Sequence, residues 1–94
     1  MLEISVKENN QIELSGRFDA AQEAKARAVL DRIEGNCTID FENLIYISSS
    51  GLSVMIYTYK RLKQKGYSLT LVNLNSHILD IFKLTGLDKI FDIY

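Results

Sequence analysis

Proline is absent from the 94 residues and glycine occurs only five times. That composition leaves no material for a flexible or proline-stiffened linker, and no segment repeats at the periods of solenoid proteins. A single cysteine, Cys37, cannot close an internal disulfide. Set in the strand-like run Asn36-Cys37-Thr38-Ile39-Asp40-Phe41, it reads as a buried structural thiol in a reducing compartment. No apolar run approaches the ~20 residues of a membrane span. Met1-Leu2-Glu3-Ile4 lacks the basic-then-apolar order of a secretory signal, so the expectation is a cytoplasmic protein with no membrane partner. Neither sign of charge dominates: 11 Lys and Arg face 12 Asp and Glu, for a net charge of −1. No basic stripe suited to a phosphate backbone is present, which excludes nucleic acid as the expected partner. The local group Lys60, Arg61, Lys63 and Lys65 falls at the end of a predicted helix, where cations complement the helix dipole, and reads as a solvated face. Catalytic signatures are missing too: there is no G-x-S-x-G, H-E-x-x-H, Walker loop, G-x-G-x-x-G or pair of cysteines. Ser49, His77 and Asp80 supply the residue types of a triad, but His77 reads as an exposed first-turn residue and Asp80 as a complement to the helix dipole. The expectation is therefore no enzyme activity, no catalytic residue, no metal and no cofactor.

What the chain does have is apolar content, 47% of residues, enough for one modest core and a single domain over residues 1–94. Leu2, Ile4 and Val6 alternate with Glu3, Ser5 and Lys7. After Asn9-Asn10 the alternation resumes at Ile12 and Leu14, which predicts a β-hairpin. From Asp19 to Glu34, Ala26, Val29, Leu30 and Ile33 recur at helical spacing, with Gly35 placed to end a first helix. Cys37 to Phe41 predicts a short buried strand. Leu52, Met55, Ile56, Tyr59 and Leu62 form the apolar stripe of a second helix ending at Gly66, and leave Ser53, Val54, Tyr57, Thr58 and Arg61 on its other side. Ser68 to Val72 predicts a strand, Asn75-Ser76 an N-cap, Ile78 to Phe82 a third helix, and Gly86 its close before Lys89 to Tyr94. The alternation of strands and helices predicts an α/β domain: a small, mostly parallel sheet of about five strands, the first added antiparallel through its hairpin, with about three helices mainly on one face.

One segment stands apart. Tyr46-Ile47-Ser48-Ser49-Ser50-Gly51-Leu52 places three hydroxyls and a glycine at a strand-to-helix corner. Capping preference alone accounts for serines before a helix. Three other segments accompany them in order: Gly16-Arg17-Phe18-Asp19-Ala20 before the first helix, Thr38 through Leu44 leading to the corner, and Leu84-Thr85-Gly86-Leu87-Asp88-Lys89-Ile90-Phe91 near the end. Together with Ile47 through Leu52 these resemble the motifs of the STAS domain family, and within it the stand-alone anti-sigma factor antagonists, over almost the whole length.

The resemblance implies a STAS fold and a phosphorylated serine at Ser49, with Ser50 and Ser48 as neighbouring alternatives. Most members carry Asp where this chain has Ser48. It further implies partner switching: the unmodified protein captures an anti-sigma factor that is also a serine kinase, frees a sigma factor, and is released by phosphorylation. A phosphatase is a further implied partner, and a monomer is the default state. The capturing face is expected to include Asp19, Ser48, Ser49, Ser50, Gly51, Ser53, Val54 and Tyr57. Asp19 has a second reading, as the N-cap of helix one. Free N–H groups near Gly51, Leu52 and Ser53 are expected to favour an added anion. Two other functions fit the same fold: an unphosphorylated accessory subunit of a lipid transporter or stress-sensing assembly, and a nucleotide- or anion-binding module.

Overall fold

The computed structural model describes all of residues 1–94. The two alternating segments form β1 (Leu2–Lys7) and β2 (Gln11–Phe18), antiparallel in a continuous register from Leu2 opposite Gly16 to Lys7 opposite Gln11. Asn9 and Asn10 turn the chain in the left-handed region, φ 60° and 56°, which asparagine tolerates better than most residues. There follow α1 (Glu23–Leu30), β3 (Cys37–Ile47), α2 (Ser49–Gln64), β4 (Leu69–Val72), α3 (Ser76–Leu84) and β5 (Asp92–Ile93). The strands lie in sequence order across one five-stranded sheet, with β2 to β5 mutually parallel.

Each parallel step moves the same way across the sheet, so right-handed crossovers place α1, α2 and α3 on one face. Strand burial agrees with that layering. Ile12, Leu14, Ile39, Phe41, Leu69 and Leu71 are buried, while Gln11, Glu13, Thr38, Asp40 and Thr70 alternate with them and stay exposed or half-buried on the other face. The core holds 22 buried residues. Removing each large side chain from water contributes ~1.5–3 kcal/mol. An edge-to-face aromatic chain closes its far end: Phe41 to Phe82 at 6.1 Å, Phe82 to Phe91 at 5.7 Å, and Phe91 to Tyr59 at 5.2 Å between ring centres.

Two elements differ from their sequence expectation. The helix expected from Asp19 to Glu34 begins instead as a 3₁₀ turn at Ala20–Gln22, becomes α-helical at Glu23 and stops at Leu30. Arg61 of α2 explains the early stop. Its Nη2 donates to the carbonyls of both Leu30 and Ile33 at 2.9 Å, so these end-of-helix acceptors are satisfied without another turn. Ile33 is buried all the same, which is why the helical spacing of apolar residues runs past the helix. The strand expected to end at Phe41 continues to Ile47. Its partners advance unevenly, Glu13 opposite Asp40, Ser15 opposite Asn43, Gly16 opposite Leu44 and Arg17 opposite Tyr46. Each shift inserts one extra β3 residue, and two such bulges change the buried spacing from every second residue to Phe41, Leu44 and Ile47.

Candidate functional site at the serine corner

At the end of β3 the chain turns directly into α2, and Ser48 makes the turn. Its N–H donates to the Phe18 carbonyl at 2.9 Å, which fastens the corner to the end of β2. Its carbonyl accepts from Leu52 N–H at 2.9 Å, and its Oγ accepts from Gly51 N–H at 3.1 Å. Ser48 is thus the N-cap of α2, with extended backbone at φ −87°, ψ 172°. The remaining hydroxyls divide by exposure: Ser49, the first helical residue, is exposed, and Ser50 is half-buried.

Gly51 is buried in the first turn of α2. A Cβ there would lie 2.7 Å from Ile47 Cγ1 and 3.1 Å from the Phe18 ring, so the absence of a side chain lets the helix rest directly on the ends of β2 and β3. The anion-favouring groups sit two residues earlier than expected. Gly51 and Leu52 N–H are both taken by Ser48, whereas Ser49 and Ser50 N–H have no partner within the protein. No acidic residue occupies the first turn of α2, so no side chain of that turn offsets its positive end.

Asp19 follows Phe18 and therefore sits beside this corner on the neighbouring strand end. Its Oδ1 accepts from Ala21 N–H at 3.2 Å, so it caps the 3₁₀ turn that leads into α1. Farther along α2, Ser53 and Tyr57 are exposed, and with Ser49 they are spaced by four residues along one side of the helix. Arg27 of α1 lies over the Tyr57 ring at 5.3 Å, and Arg17 of β2 over the Tyr46 ring at 4.4 Å. Neither arginine was among the sequence candidates, because each meets its tyrosine across two elements far apart in the chain.

Three residues expected on the open side of α2 are not there. Val54 and Thr58 are fully buried, and the Thr58 hydroxyl donates to the Val54 carbonyl at 2.9 Å. They share a side of α2 with Arg61, which reaches the end of α1, so this side packs against that helix and cannot meet a partner. The expected stripe on the sheet side holds: Leu52, Met55 and Leu62 are buried, and Ile56 and Tyr59 pack partly buried against the core. Helix α2 is therefore covered on two sides. Arg61 also leaves the solvated basic face. Its Nη1 lies 3.6 Å from Glu34, which Lys65 contacts at 2.8 Å. Lys65 and Arg61 together hold the Glu34 carboxyl below its usual pKa. His77 and Asp80 are exposed on α3, whose N-cap is Asn75.

The model of the STAS domain matches residues 3–94. The chain is 31% identical to the anti-sigma-B factor antagonist of Bacillus subtilis over 98% of this chain and 90% of that protein. Among solved structures, an anti-sigma factor antagonist from Mycobacterium paratuberculosis aligns over all of this chain and 84% of its own, with a TM-score of 0.72 and 25% identity. The Bacillus protein SpoIIAA has been solved unphosphorylated, with a TM-score of 0.69 at 14% identity over 96% of this chain and 97% of that one. Its phosphorylated form gives 0.66 at 16% over 100% and 91%. At those identities SpoIIAA speaks for the fold alone. With the four motifs, the sheet order and the match over nearly every residue in agreement, this chain belongs to the STAS domain family.

Proposed function

We propose that the chain is a cytoplasmic, single-domain anti-sigma factor antagonist, a binding protein without catalytic activity or cofactor, switched by phosphorylation of Ser49. Its partner in this reading is an anti-sigma factor that is also a serine kinase, and a phosphatase resets it. The observation that carries the proposal is the division of labour among the three serines: Ser48 is committed to capping α2, Ser50 is half-buried, and Ser49 is exposed on the first turn. A kinase would transfer the γ-phosphoryl of ATP to Ser49 Oγ, releasing ADP and a proton. The product carries about −1.5 to −2 charges at neutral pH. Beside the unpartnered N–H groups of Ser49 and Ser50 the helix terminus stabilises such an anion by ~0.3–1 kcal/mol, so the fold persists. Beneath a docked partner the same anion loses water and meets a surface shaped for a neutral hydroxyl, at a cost of several kcal/mol. Asp19 on the neighbouring strand end, and Ser53 and Tyr57 on the same side of α2 as Ser49, make up the remainder of the capturing face.

Incubation with ATP and the cognate serine kinase, followed by peptide mass mapping, is expected to place phosphate on Ser49. Ser49→Asp is expected to weaken partner binding at least tenfold, about 1.4 kcal/mol, with an unchanged circular dichroism spectrum. If the kinase modifies none of the three serines and Ser49→Asp binds as tightly as the wild type, the accessory-subunit reading replaces this one.

A further inference from the structure

The outer edge of β1 is unpaired along its middle. Leu2 shows which way its backbone faces: its N–H donates to Gln22 Oε1 at 3.3 Å and its carbonyl accepts from Lys25 Nζ, both on the side away from β2. Met1, one residue earlier, turns its carbonyl inward to Arg17 N–H at 2.9 Å. Backbone groups alternate along a strand and the β1–β2 register runs without a bulge, so the N–H and C=O groups of Ile4 and Val6 face outward. Neither residue has a further hydrogen-bond partner in the chain. Val6 is 52% exposed although its side chain lies on the helix-covered face of the sheet. The opposite edge, β5, is only two residues long and offers no comparable ladder.

We propose that this edge is a self-association surface at which a second copy of the chain adds antiparallel, β1 against β1, centred on Ser5. The occupant follows from self-complementarity. Placing Ser5 opposite Ser5 puts Ile4 opposite Val6 of the second copy, and the outward groups of these two residues face each other as hydrogen-bonded pairs. The same register sets Glu3 opposite Lys7 of the second copy and Lys7 opposite its Glu3, two opposite-charge pairs on the exposed face of the sheet. The Ile4 and Val6 side chains meet on the other face and cover the exposed valine. No other antiparallel register joins both the charges and the apolar residues.

The two-fold axis is perpendicular to the sheet, so two five-stranded sheets join into one with all helices on the same side. Because the copies run in opposite directions, their Ser49 corners point to opposite ends and both remain open. The contact is independent of whether Ser49 is phosphorylated. Gln22 and Lys25 already occupy the edge at Leu2, so the joined ladder is short and the dimer belongs to the weak, concentration-dependent class.

Sedimentation equilibrium of the full chain in low salt is expected to show the average mass rising from 10.7 kDa toward twice that value with concentration. Over the same range, amide exchange at Ile4 and Val6 is expected to slow. Glu3→Lys and Lys7→Glu each set like charges opposite one another and are expected to weaken the dimer at least about tenfold, while the double swap restores it to within about threefold. Glu3→Lys leaves the Lys7–Glu13 ion pair intact, so it reads the interface even if Lys7→Glu perturbs the hairpin. A chain that stays monomeric at about 1 mM, a dimer indifferent to the single swaps or not rescued by the double, or exchange at Ile4 and Val6 that ignores concentration, overturns the proposal.

Discussion

Ser48 carries a different role from the serine after it, although nothing in the tripeptide itself distinguishes them. The family motif has Asp at this position, and both Ser and Asp are good N-caps, so the exchange preserves the hydrogen bond to Gly51 N–H while removing a charge. Ser48→Ala is accordingly expected to lower stability by ~0.5–2 kcal/mol, and Ser48→Asp to leave it within ~0.5 kcal/mol, as read from urea midpoints. Cys37 makes a second prediction at this scale. Burial at the start of β3 raises its thiol pKa from 9.0 to about 11, a rise only partly opposed by the nearby Arg61 charge. The folded protein therefore keeps the proton while the unfolded chain loses it, so the Cys37 contribution to stability is constant below about pH 9 and falls as pH rises from there to about 11. Denaturation across that window is expected to show a decline that Cys37→Ala removes. The buried cysteine was legible from its neighbours in the sequence, since a thiol between apolar strand residues behaves as a small hydrophobe.

At the scale of elements, the contact between α1 and α2 turns on Arg61. Its guanidinium gathers the carbonyls of Leu30, the last residue of α1, and of Ile33 just beyond it in a nearly buried position, and its Nε is buried without a partner, so the group is held by the two carbonyls and by Glu34. Arg61→Ala is expected to cost ~1.5–3 kcal/mol through the loss of charge-assisted hydrogen bonds to carbonyls that water reaches poorly. Lys cannot reproduce the fork, so Arg61→Lys recovers only part of this. Lys65→Ala, which removes a solvent-exposed pair with Glu34, is expected to change stability least of the three. Thermal midpoints of the three variants rank these effects. Sequence patterning located α2 and α3 well, because their apolar stripes and the capping residues before them are local signals, but it left the α2 cap open among three serines. It overextended α1 because a long-range arginine, not Gly35, satisfies the helix end. It shortened β3 because two bulges broke the period-two alternation that betrays a strand.

For the molecule as a whole, the order β1-β2-β3-β4-β5 makes β3 the most thoroughly tied strand, with Ile39 paired to Ile12 on one side and Leu71 on the other. Native-state hydrogen exchange is expected to be slowest around Ile39 and Leu71 and fast at Ile90, which follows a short 3₁₀ turn at Leu87–Lys89 and leaves its large side chain exposed, as residue-resolved exchange rates would record. The same layering decides what the serine corner can do. Parallel strands end together, so β2 and β3 deliver Asp19 and Ser48 side by side, and α2 lies across both ends because Gly51 has no side chain. By itself the sequence determined the class of fold and the position of the corner, since periodicity and capping chemistry are properties of neighbouring residues, and the order of its motifs carried the family resemblance that implies Ser49. Only the tertiary structure decided which of the three hydroxyls is spent on capping, and that Val54 and Thr58 face α1 while Tyr57 stays open to solvent. It alone brought Arg17 and Arg27 to the tyrosines near the corner. Those outcomes depend on how separate elements pack, and packing couples residues whose spacing along the chain carries no trace of the contact.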